Sequence, residues 1–286
     1  MTIKKIGVIG AGAMGGGIAH VAALKGFEVV LCDVEQRFVD GAIARAAALM
    51  DKNIAKQKMT EEEKQAVLQR ITTTTNIEDF AAVDFVIEAI IEDLAIKQNT
   101  FERLDKICRP EVILASNTSS MSVTVIAAAT SRPDKVVGMH FFNPAQVMRL
   151  VELIRGYSTS DETIKTVTEV AQTLGKVTVE SKKDTPGFIV NRVLFAQFLE
   201  AIRMVEEGVA TPQDIDTAVT LGLNYPMGPF QLMDSIGGID LTVKIADYFY
   251  DETKDAKWNA PHTLKSLLRA GRLGKKTGAG WYNYDK

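Results

Sequence analysis

The beginning of the chain holds the pattern that constrains its fold most. Residues 3–9 form a short apolar run rich in β-branched side chains, which predicts a buried strand. The turn Gly10-Ala11-Gly12-Ala13-Met14-Gly15 follows, and a helical pattern then continues to Lys25. A second apolar run, 28–32, ends at Asp33, eighteen positions after the last glycine of the turn (33 − 15). This order predicts the first half of a doubly wound α/β domain.

The three glycines of the turn have different physical tasks. Gly10 permits the tight turn, Gly12 lets the backbone approach a pyrophosphate, and Gly15 lets the helix pack against the strand. The pyrophosphate then lies at the positive helix N-terminus, where N–H groups have no partner within the helix. Asp33 can accept hydrogen bonds from ribose hydroxyls and would repel a 2′-phosphate. The sequence therefore predicts NAD rather than NADP as the cofactor.

The size and charge of the chain narrow the class of protein. Its 286 residues suffice for two domains. A net charge of −3 gives no reason to expect nucleic acid or anionic membranes as partners. Because we find no signal peptide and no apolar run of spanning length, we expect a cytoplasmic protein. Cys32 and Cys108 have no histidine at ligand spacing, so we expect buried thiols in a reducing compartment and no metal site.

Apolar runs and turn residues divide the rest of the chain into two parts. Further strands are predicted at 84–89, 111–115, 135–139, 149–154 and 176–180, and helices at 34–70, 94–107, 161–174, 188–207, 230–250 and 261–270. The polar segment 181–186 is the best candidate for a linker. We predict an α/β, Rossmann-like N-terminal domain over residues 1–183 and an all-helical C-terminal domain over 184–286 that contributes to a substrate cleft.

His140 and Glu152 are the candidate proton-transfer residues. His140 follows the apolar strand predicted at 135–139, and Glu152 lies within the apolar run at 149–154. Because a buried carboxylate is costly unless it is paired, we pair Glu152 with His140. Such a carboxylate fixes the imidazole tautomer and raises its basicity, although a histidine satisfied in the core is the alternative. A proton acceptor beside a nicotinamide implies oxidation of an alcohol or reduction of a ketone.

Other polar residues follow the predicted strands. Glu92 and Lys97 come after the strand at 84–89, where they are placed to reach a cofactor or, alternatively, to begin a helix. The segment 116–120, Ser-Asn-Thr-Ser-Ser, can line a crevice or cap a helix. Asn191 is polar within an apolar helix, where it is either exposed or hydrogen-bonded into a cleft between the domains.

Basic residues are frequent along the predicted helix at 34–70. They include Arg45, Lys52, Lys56, Lys58 and Lys64. They form either a solvated face or a patch for an anionic substrate tail. The residues alone favour the solvated face, because charge runs are usually surface.

The chain resembles the short-chain 3-hydroxyacyl-CoA dehydrogenases, and within them the bacterial 3-hydroxybutyryl-CoA dehydrogenases. The resemblance covers nearly the whole chain. It rests on the fingerprint glycines, Ala-Ser-Asn-Thr-Ser-Ser at 115–120, His-Phe-Phe-Asn-Pro at 140–144, Pro-Gly-Phe-Ile-Val-Asn-Arg at 186–192, Tyr-Pro-Met-Gly-Pro at 225–229 and Gly-Lys-Lys-Thr-Gly at 274–278.

This resemblance implies roles for single residues. His140 would be the general acid/base with Glu152 as its partner, and Ser119 and Asn191 would hold the oxygens of the substrate. The positions around the NAD ribose and nicotinamide would be Asp33, Glu92, Lys97, Ser119 and Asn143. The substrate pair would be (S)-3-hydroxybutyryl-CoA and acetoacetyl-CoA, as in fatty acid or butyrate metabolism, and the helical domain would form a homodimer through the helix at 188–205.

The coenzyme A contacts are where the chain departs from this family. The family often has a serine and then a lysine on the long helix near coenzyme A. Here 46–50 contains no serine, and Lys56, with Lys52 close by, matches the lysine. Since coenzyme A carries phosphates, the resemblance also favours the substrate patch for these lysines.

Two rival functions fit parts of the sequence. A β-hydroxyacid dehydrogenase that acts on free acids also suits the segment 7–15, but that group uses a lysine where this chain offers His140 and Glu152. A non-catalytic NAD-binding protein is possible because a fold alone does not fix a function.

Overall fold

The computed structural model describes residues 3–284. The chain forms two compact units, of which the first ends at Phe188 and the second begins at Ile189. The predicted boundary between residues 183 and 184 stays a prediction. Each unit has its own hydrophobic core.

Eight strands of the first unit form one sheet. In chain order they are β1 (Lys5–Ile9), β2 (Glu28–Cys32), β3 (Ile71–Thr74), β4 (Phe85–Glu88), β5 (Ile113–Ser116), β6 (Val136–Phe141), β7 (Leu150–Ile154) and β8 (Val177–Ser181). Their order across the sheet is β3-β2-β1-β4-β5-β6-β7-β8. Strands β1 to β6 pair in parallel, and β7 is antiparallel to β6. The strand order reverses beside β1, and ligands of such sheets bind beyond the carboxyl ends of the strands at this point.

Helices cover both faces of this sheet. They are α1 (Ala13–Leu24), α2 (Gln36–Ala55), α3 (Glu61–Gln69), α4 (Leu94–Ile107), α5 (Val123–Ala127) and α6 (Asp161–Thr173). Residues of α1, α2 and α6 pack with one set of strand side chains, and residues of α4 and α5 pack with the other set. Because successive strand residues point to opposite faces and helices cover both, the central strands β1, β2, β4, β5 and β6 are buried nearly throughout rather than alternating. The Rossmann-like fold predicted for this part is confirmed.

The second unit is helical, as predicted. Its helices are α7 (Val190–Glu206), α8 (Pro212–Gly222), α9 (Pro229–Ser235), α10 (Ile239–Thr253) and α11 (His262–Arg269). Two buried carboxylates tie its C-terminal segment to the helices. Asp216 accepts from the hydroxyl of Tyr282 at 2.8 Å, and Asp234 accepts from the hydroxyl of Tyr284 at 2.9 Å.

The single helix predicted at 34–70 is wrong. The structure has α2 and α3 there, separated by residues 56–60 and followed by strand β3, which was not predicted. Gln57 has a left-handed φ of 55°, which ends the first helix. Thr60 and Glu63 then begin the second with a reciprocal capping box. Strand β3 was not predicted because its sequence, Ile-Thr-Thr-Thr, contains one large apolar side chain. The strand lies half-exposed at the edge of the sheet, so it has no apolar run.

The single helix predicted at 230–250 is also wrong, because α9 and α10 are separate. Gly238 has a φ of +85°, which favours glycine, and a Cβ at this position would lie 1.9 Å from the carbonyl oxygen of Leu273. The chain therefore turns at Gly238 instead of continuing one helix.

The two cysteines, the lengths of the helices and the grouping of possible metal ligands complete the description of the fold. Cys32 and Cys108 are buried free thiols, and burial raises the pKa of each to about 11. Residues 3–284 contain no helix that is long and apolar enough to cross a bilayer. Within the same described part, no group of three or more His, Cys, Asp or Glu side chains is placed to hold a metal ion.

His20 on α1 gives a prediction about stability and pH. Its side chain is buried, and neither ring nitrogen has a hydrogen-bond partner among the described residues. Burial lowers the pKa of His20 below its ordinary value of about 6.5. The unfolded chain therefore binds this proton more tightly than the folded protein. The stability that depends on neutral His20 is fully present above about pH 6.5 and is lost as the pH falls below it.

We expect His20→Leu to raise the free energy of unfolding by about 1–3 kcal/mol, because it removes buried polar groups that lack partners. The gain should be larger at pH 5.5 than at pH 7.5, since only the wild type loses stability through this group. Urea unfolding of both proteins at both pH values measures the difference. A variant that is less stable than wild type, with an equal loss at both pH values, would contradict this account.

Candidate active site

The glycine turn between β1 and α1 has the geometry of a phosphate-binding turn. A Cβ on Gly10, where φ is +100°, would lie 2.4 Å from the carbonyl oxygen of Ala89, and a Cβ on Gly15 would lie 1.8 Å from that of Gly10. These two glycines are therefore required by packing. A Cβ on Gly12 would meet nothing within 4 Å, and Gly12 is the N-cap residue of α1, where no side chain caps the helix. The backbone is open at this point, so the turn fits a pyrophosphate at the helix N-terminus.

Two charged side chains hold Ala11 in the middle of this turn. The N–H of Ala11 donates to Asp33 Oδ2 at 2.6 Å, and the N–H of Val34 donates to Asp33 Oδ1 at 2.7 Å. Arg45 on α2 donates to the carbonyl oxygen of Ala11 at 2.8 Å. Asp33 therefore shapes the turn, while its ribose contact stays a prediction. Arg45 is exposed, in keeping with the solvated face predicted for it, and it also binds the turn.

Beyond β4, a buried lysine joins two carboxylates. Glu88 is fully buried, and its Oε1 lies 2.6 Å from the Nζ of Lys97, which is 1% exposed. Glu92 Oε2 lies 3.2 Å from the same ammonium group. Ser116 at the end of β5 donates to Glu88 at 2.6 Å. The ammonium group of Lys97 is thus buried between these two carboxylates. Its predicted contact with the cofactor stays a prediction.

Glu92 in turn organises the loop that carries Ser119. Thr118 donates its hydroxyl to Glu92, and Ser119 donates its N–H at 3.0 Å. Burial opposes ionisation of this carboxyl, but Lys97 and these hydrogen bonds outweigh it and lower the pKa of Glu92. Glu92 is therefore a fixed anion that orients the loop. Asp93, the next residue, caps α4 by accepting from the N–H of Ile96. A polar residue after the strand predicted at 84–89 thus begins the helix, which was the alternative to a cofactor contact.

His140 and Glu152 lie opposite each other on adjacent antiparallel strands. The strand β6 includes His140 rather than ending before it, which corrects the predicted boundary. Residues paired across strands share one face, and here His140 Nδ1 lies 2.7 Å from Glu152 Oε2. The imidazole is 5% exposed and the carboxylate is fully buried. The predicted contact is thus present, while its catalytic role stays a prediction.

The end of β6 is tied to the end of β5. The N–H of Phe141 donates to Asn117 Oδ1 at 2.8 Å, which fixes the main chain beside His140. No individual role was predicted for Asn117, and its place within the polar segment 116–120 is the one signal that the sequence contains for it. Because the strands β5 and β6 are parallel, Ser119 and His140 both lie at the carboxyl edge of the sheet.

Asn143 lies beside a cavity next to the glycine turn. This cavity has a volume of about 190 Å³ and is lined by residues of α1, α2 and the loop after β6: Ala13, Gly16, Gly17, Ala42, Arg45, Ala46, Leu49, Asn143, Pro144 and Gln146. Its position places Asn143 close to the turn that fits the pyrophosphate. The specific contact of Asn143 with the cofactor stays a prediction.

The five basic residues for which a solvated face or an anion patch was predicted divide into two groups. Arg45 binds the glycine turn, and Lys64 pairs with Asp51 and Glu61. Lys52, Lys56 and Lys58 are exposed and form no salt bridge within the described residues. These three lysines are therefore available to an anion.

Asn191 is half-buried in the first turn of α7, in the second unit. Its predicted contact with the substrate stays a prediction.

Comparison with known proteins finds one family along the whole chain. The family model "3-hydroxyacyl-CoA dehydrogenase, NAD binding domain" matches residues 5–185, and "3-hydroxyacyl-CoA dehydrogenase, C-terminal domain" matches residues 187–284. A probable 3-hydroxybutyryl-CoA dehydrogenase of Deinococcus radiodurans is 47% identical, with 98% of this chain and 100% of that protein covered. The 3-hydroxybutyryl-CoA dehydrogenase of Clostridioides difficile is 44% identical, with 99% and 100% covered.

A solved structure shows the same similarity in three dimensions. The crystal structure of an (S)-3-hydroxybutyryl-CoA dehydrogenase from Ralstonia eutropha matches with a TM-score of 0.96 and 43% identity, over 100% of both chains.

Proposed function

The chain belongs to the 3-hydroxyacyl-CoA dehydrogenase family, and we propose that it interconverts (S)-3-hydroxybutyryl-CoA and acetoacetyl-CoA. The family, the NAD-dependent enzyme class and the cofactor predicted from the sequence are confirmed by these matches. The choice of the four-carbon thioester is supported by the names of the relatives at 47% and 44% identity. One observation carries the roles of the residues, namely the 2.7 Å contact between His140 and Glu152 at the carboxyl edge of the sheet.

We propose that His140 moves the proton of the reaction. NAD, when bound, supplies or accepts the hydride at C3 of the acyl chain. In the oxidation, His140 Nε2 accepts the hydroxyl proton, and in the reduction the imidazolium returns it to the ketone oxygen. Glu152 accepts the Nδ1 hydrogen, so it selects the tautomer that leaves Nε2 as the acceptor and stabilises the imidazolium.

The polar groups around this pair have proposed positioning roles. Ser119, fixed through Glu92, would donate to the substrate oxygen, and Asn191 would bind the thioester oxygen. The polarity of both side chains supports these roles, because a developing oxyanion is stabilised by fixed hydrogen-bond donors. Asp33 and Asn143 would contact the cofactor, since each lies beside the glycine turn or the cavity next to it.

The thioester can be distinguished from the free acid in one assay. NADH oxidation should be rapid with acetoacetyl-CoA and slow with acetoacetate, because the free acid lacks the coenzyme A portion that contributes binding energy. Equal kcat/KM values for the two substrates would favour a β-hydroxyacid dehydrogenase. Cofactor binding without turnover of either substrate would favour the non-catalytic alternative.

We propose that Lys52 and Lys56 bind phosphates of coenzyme A. We expect Lys52→Gln/Lys56→Gln to raise the KM for acetoacetyl-CoA and to weaken its dependence on salt, with kcat unchanged. Exposed ion pairs contribute about 0.2–1 kcal/mol each, so the combined rise in KM should be about 2- to 30-fold. Lys165→Gln on α6, which removes another exposed lysine, is the matched control. An equal KM in both variants would exclude this patch as the phosphate site.

We also propose that the enzyme is a cytoplasmic homodimer that associates through its second unit. That unit exposes large apolar side chains, including Val193, Val209, Leu221 and Leu223 at 60–79%. Exposed apolar side chains that form one contiguous patch are typical of surfaces that bind another protein, and the proposal requires such a patch here. Sedimentation equilibrium should give twice the chain mass of 31.3 kDa, and Val193→Glu should shift it toward the monomer. A monomeric wild type would contradict the proposal.

A further inference from the structure

The imidazole of His140 is in contact with two phenylalanine rings in addition to its carboxylate. The ring of Phe142 is 4.6 Å away between centroids at an interplanar angle of 52°, and that of Phe188 is 5.9 Å away at 63°. Phe142 is two residues from His140 in the same extended segment. Phe188 comes from a distant part of the chain, 48 positions later (188 − 140), and is 3% exposed.

The backbone of Phe188 is in an unusual conformation. Its φ is +48°, in the left-handed region that an aromatic residue rarely occupies, and Gly187 before it has a φ of +75°. Glycine would remove this strain at position 188, but it would also remove the ring. Strained backbone of this kind concentrates at functional sites, where the surrounding structure maintains it.

The segment before Phe188 is fixed by specific hydrogen bonds to the beginning of α5, within the first unit. Asp184 Oδ2 accepts from the hydroxyl of Ser122 at 2.6 Å and from the N–H of Thr124 at 2.7 Å. The N–H of Phe188 donates to the carbonyl oxygen of Thr185 at 3.0 Å. The ring then packs in the core on the α4 and α5 side of the sheet. The strained residue is therefore held on its N-terminal side and by its own side chain.

We infer that Phe188 is a positioning residue that fixes the plane of the His140 imidazole. The inference rests on the proposed function, in which Nε2 must point at the substrate hydroxyl. The contact with Glu152 fixes one end of the ring, and an imidazole held at one atom can still tilt. Phe142 and Phe188 contact the same ring and restrict that tilt. They also exclude water from it, which strengthens its interaction with Glu152.

Substitution of Phe188 separates this role from simple packing. Phe188→Leu keeps apolar volume but removes the ring, so we expect kcat to fall about 10- to 100-fold with an unchanged KM for NADH. The pH profile of kcat/KM should change, and the ¹⁵N signals of the His140 ring should broaden as it samples several orientations. Phe188→Tyr should restore most of kcat and the wild-type profile. Phe188→Gly relieves the strained backbone but should be at least as inactive as Phe188→Leu.

Phe80→Leu is the matched control, because Phe80 is fully buried in the same core cluster and has no ring contact with His140 among the described residues. It should lower stability and leave the pH profile unchanged. The inference is overturned if Phe188→Leu behaves like Phe80→Leu, or if Phe188→Gly keeps wild-type turnover. His140→Ala is measured in parallel. An active His140→Ala variant would refute the proposed function, whereas an inactive one beside a normal Phe188→Leu refutes the positioning role alone.

Discussion

His140→Ala should reduce kcat for acetoacetyl-CoA reduction by about 100- to 10,000-fold, the range that a positioned acid or base contributes. The variant should still bind NADH, because the glycine turn and Asp33 belong to other segments of the sheet edge. His140 is buried, so loss of the side chain also leaves Glu152 without this partner. A thermal melt and an NADH titration therefore accompany the rate measurement.

His262→Ala is the matched control for this variant. His262 begins α11 in the second unit and is exposed, with a ring nitrogen 3.4 Å from the hydroxyl of Ser266. Its replacement should leave kcat at the wild-type value. Turnover of His140→Ala close to that of His262→Ala would remove His140 from the mechanism.

Among the variants proposed for this protein, Lys97→Met should lower the free energy of unfolding most. The substitution leaves Glu88 as a buried anion without its cation, and breaking a buried pair in this way costs about 3–5 kcal/mol. The loop at 118–120 should lose order too, because Glu92 orients it and Lys97 stabilises the charge of Glu92. Urea unfolding followed by far-UV circular dichroism measures the change in the free energy of unfolding.

Two further variants isolate the charge effect. Lys106→Met removes a lysine from the same helix α4, where it pairs with Glu102 at 2.7 Å while 70% exposed, so we expect a cost of about 0.3–0.5 kcal/mol. The double variant Lys97→Met/Glu88→Gln removes the unpaired charge and should recover part of the lost stability. Equal effects of Lys97→Met and Lys106→Met would show that burial of the first pair has no energetic consequence.

Local patterns in the sequence predicted the parts of the site that are contiguous in the chain. The glycine turn was predicted because Gly10, Gly12 and Gly15 lie between an apolar strand and a helix, with Asp33 at the end of the next strand. The pairing of His140 with Glu152 was predicted because a carboxylate in an apolar strand needs a partner. Both predictions rest on an energetic cost that a Rossmann-like fold has to avoid, namely a steric clash in the turn or an unpaired buried carboxylate.

Contacts between distant elements could not be predicted in the same way. Arg45 is exposed as predicted, but its hydrogen bond to Ala11 was not predicted, because the packing of α2 on α1 decides where its guanidinium lies. Lys97 and Glu88 belong to a helix and a strand, and only the tertiary fold shows that their charges meet. The break after α2 depends on a left-handed residue, Gln57, which has no glycine to signal it.

The pH dependence of kcat/KM for the thioester, measured in both directions at saturating cofactor, tests the role of His140 most directly. Oxidation requires the neutral imidazole and reduction requires the imidazolium, so the rate of oxidation should rise with pH and that of reduction should fall. Both limbs should disappear in His140→Ala. Limbs that persist in that variant at the same pH would show that another group moves the proton.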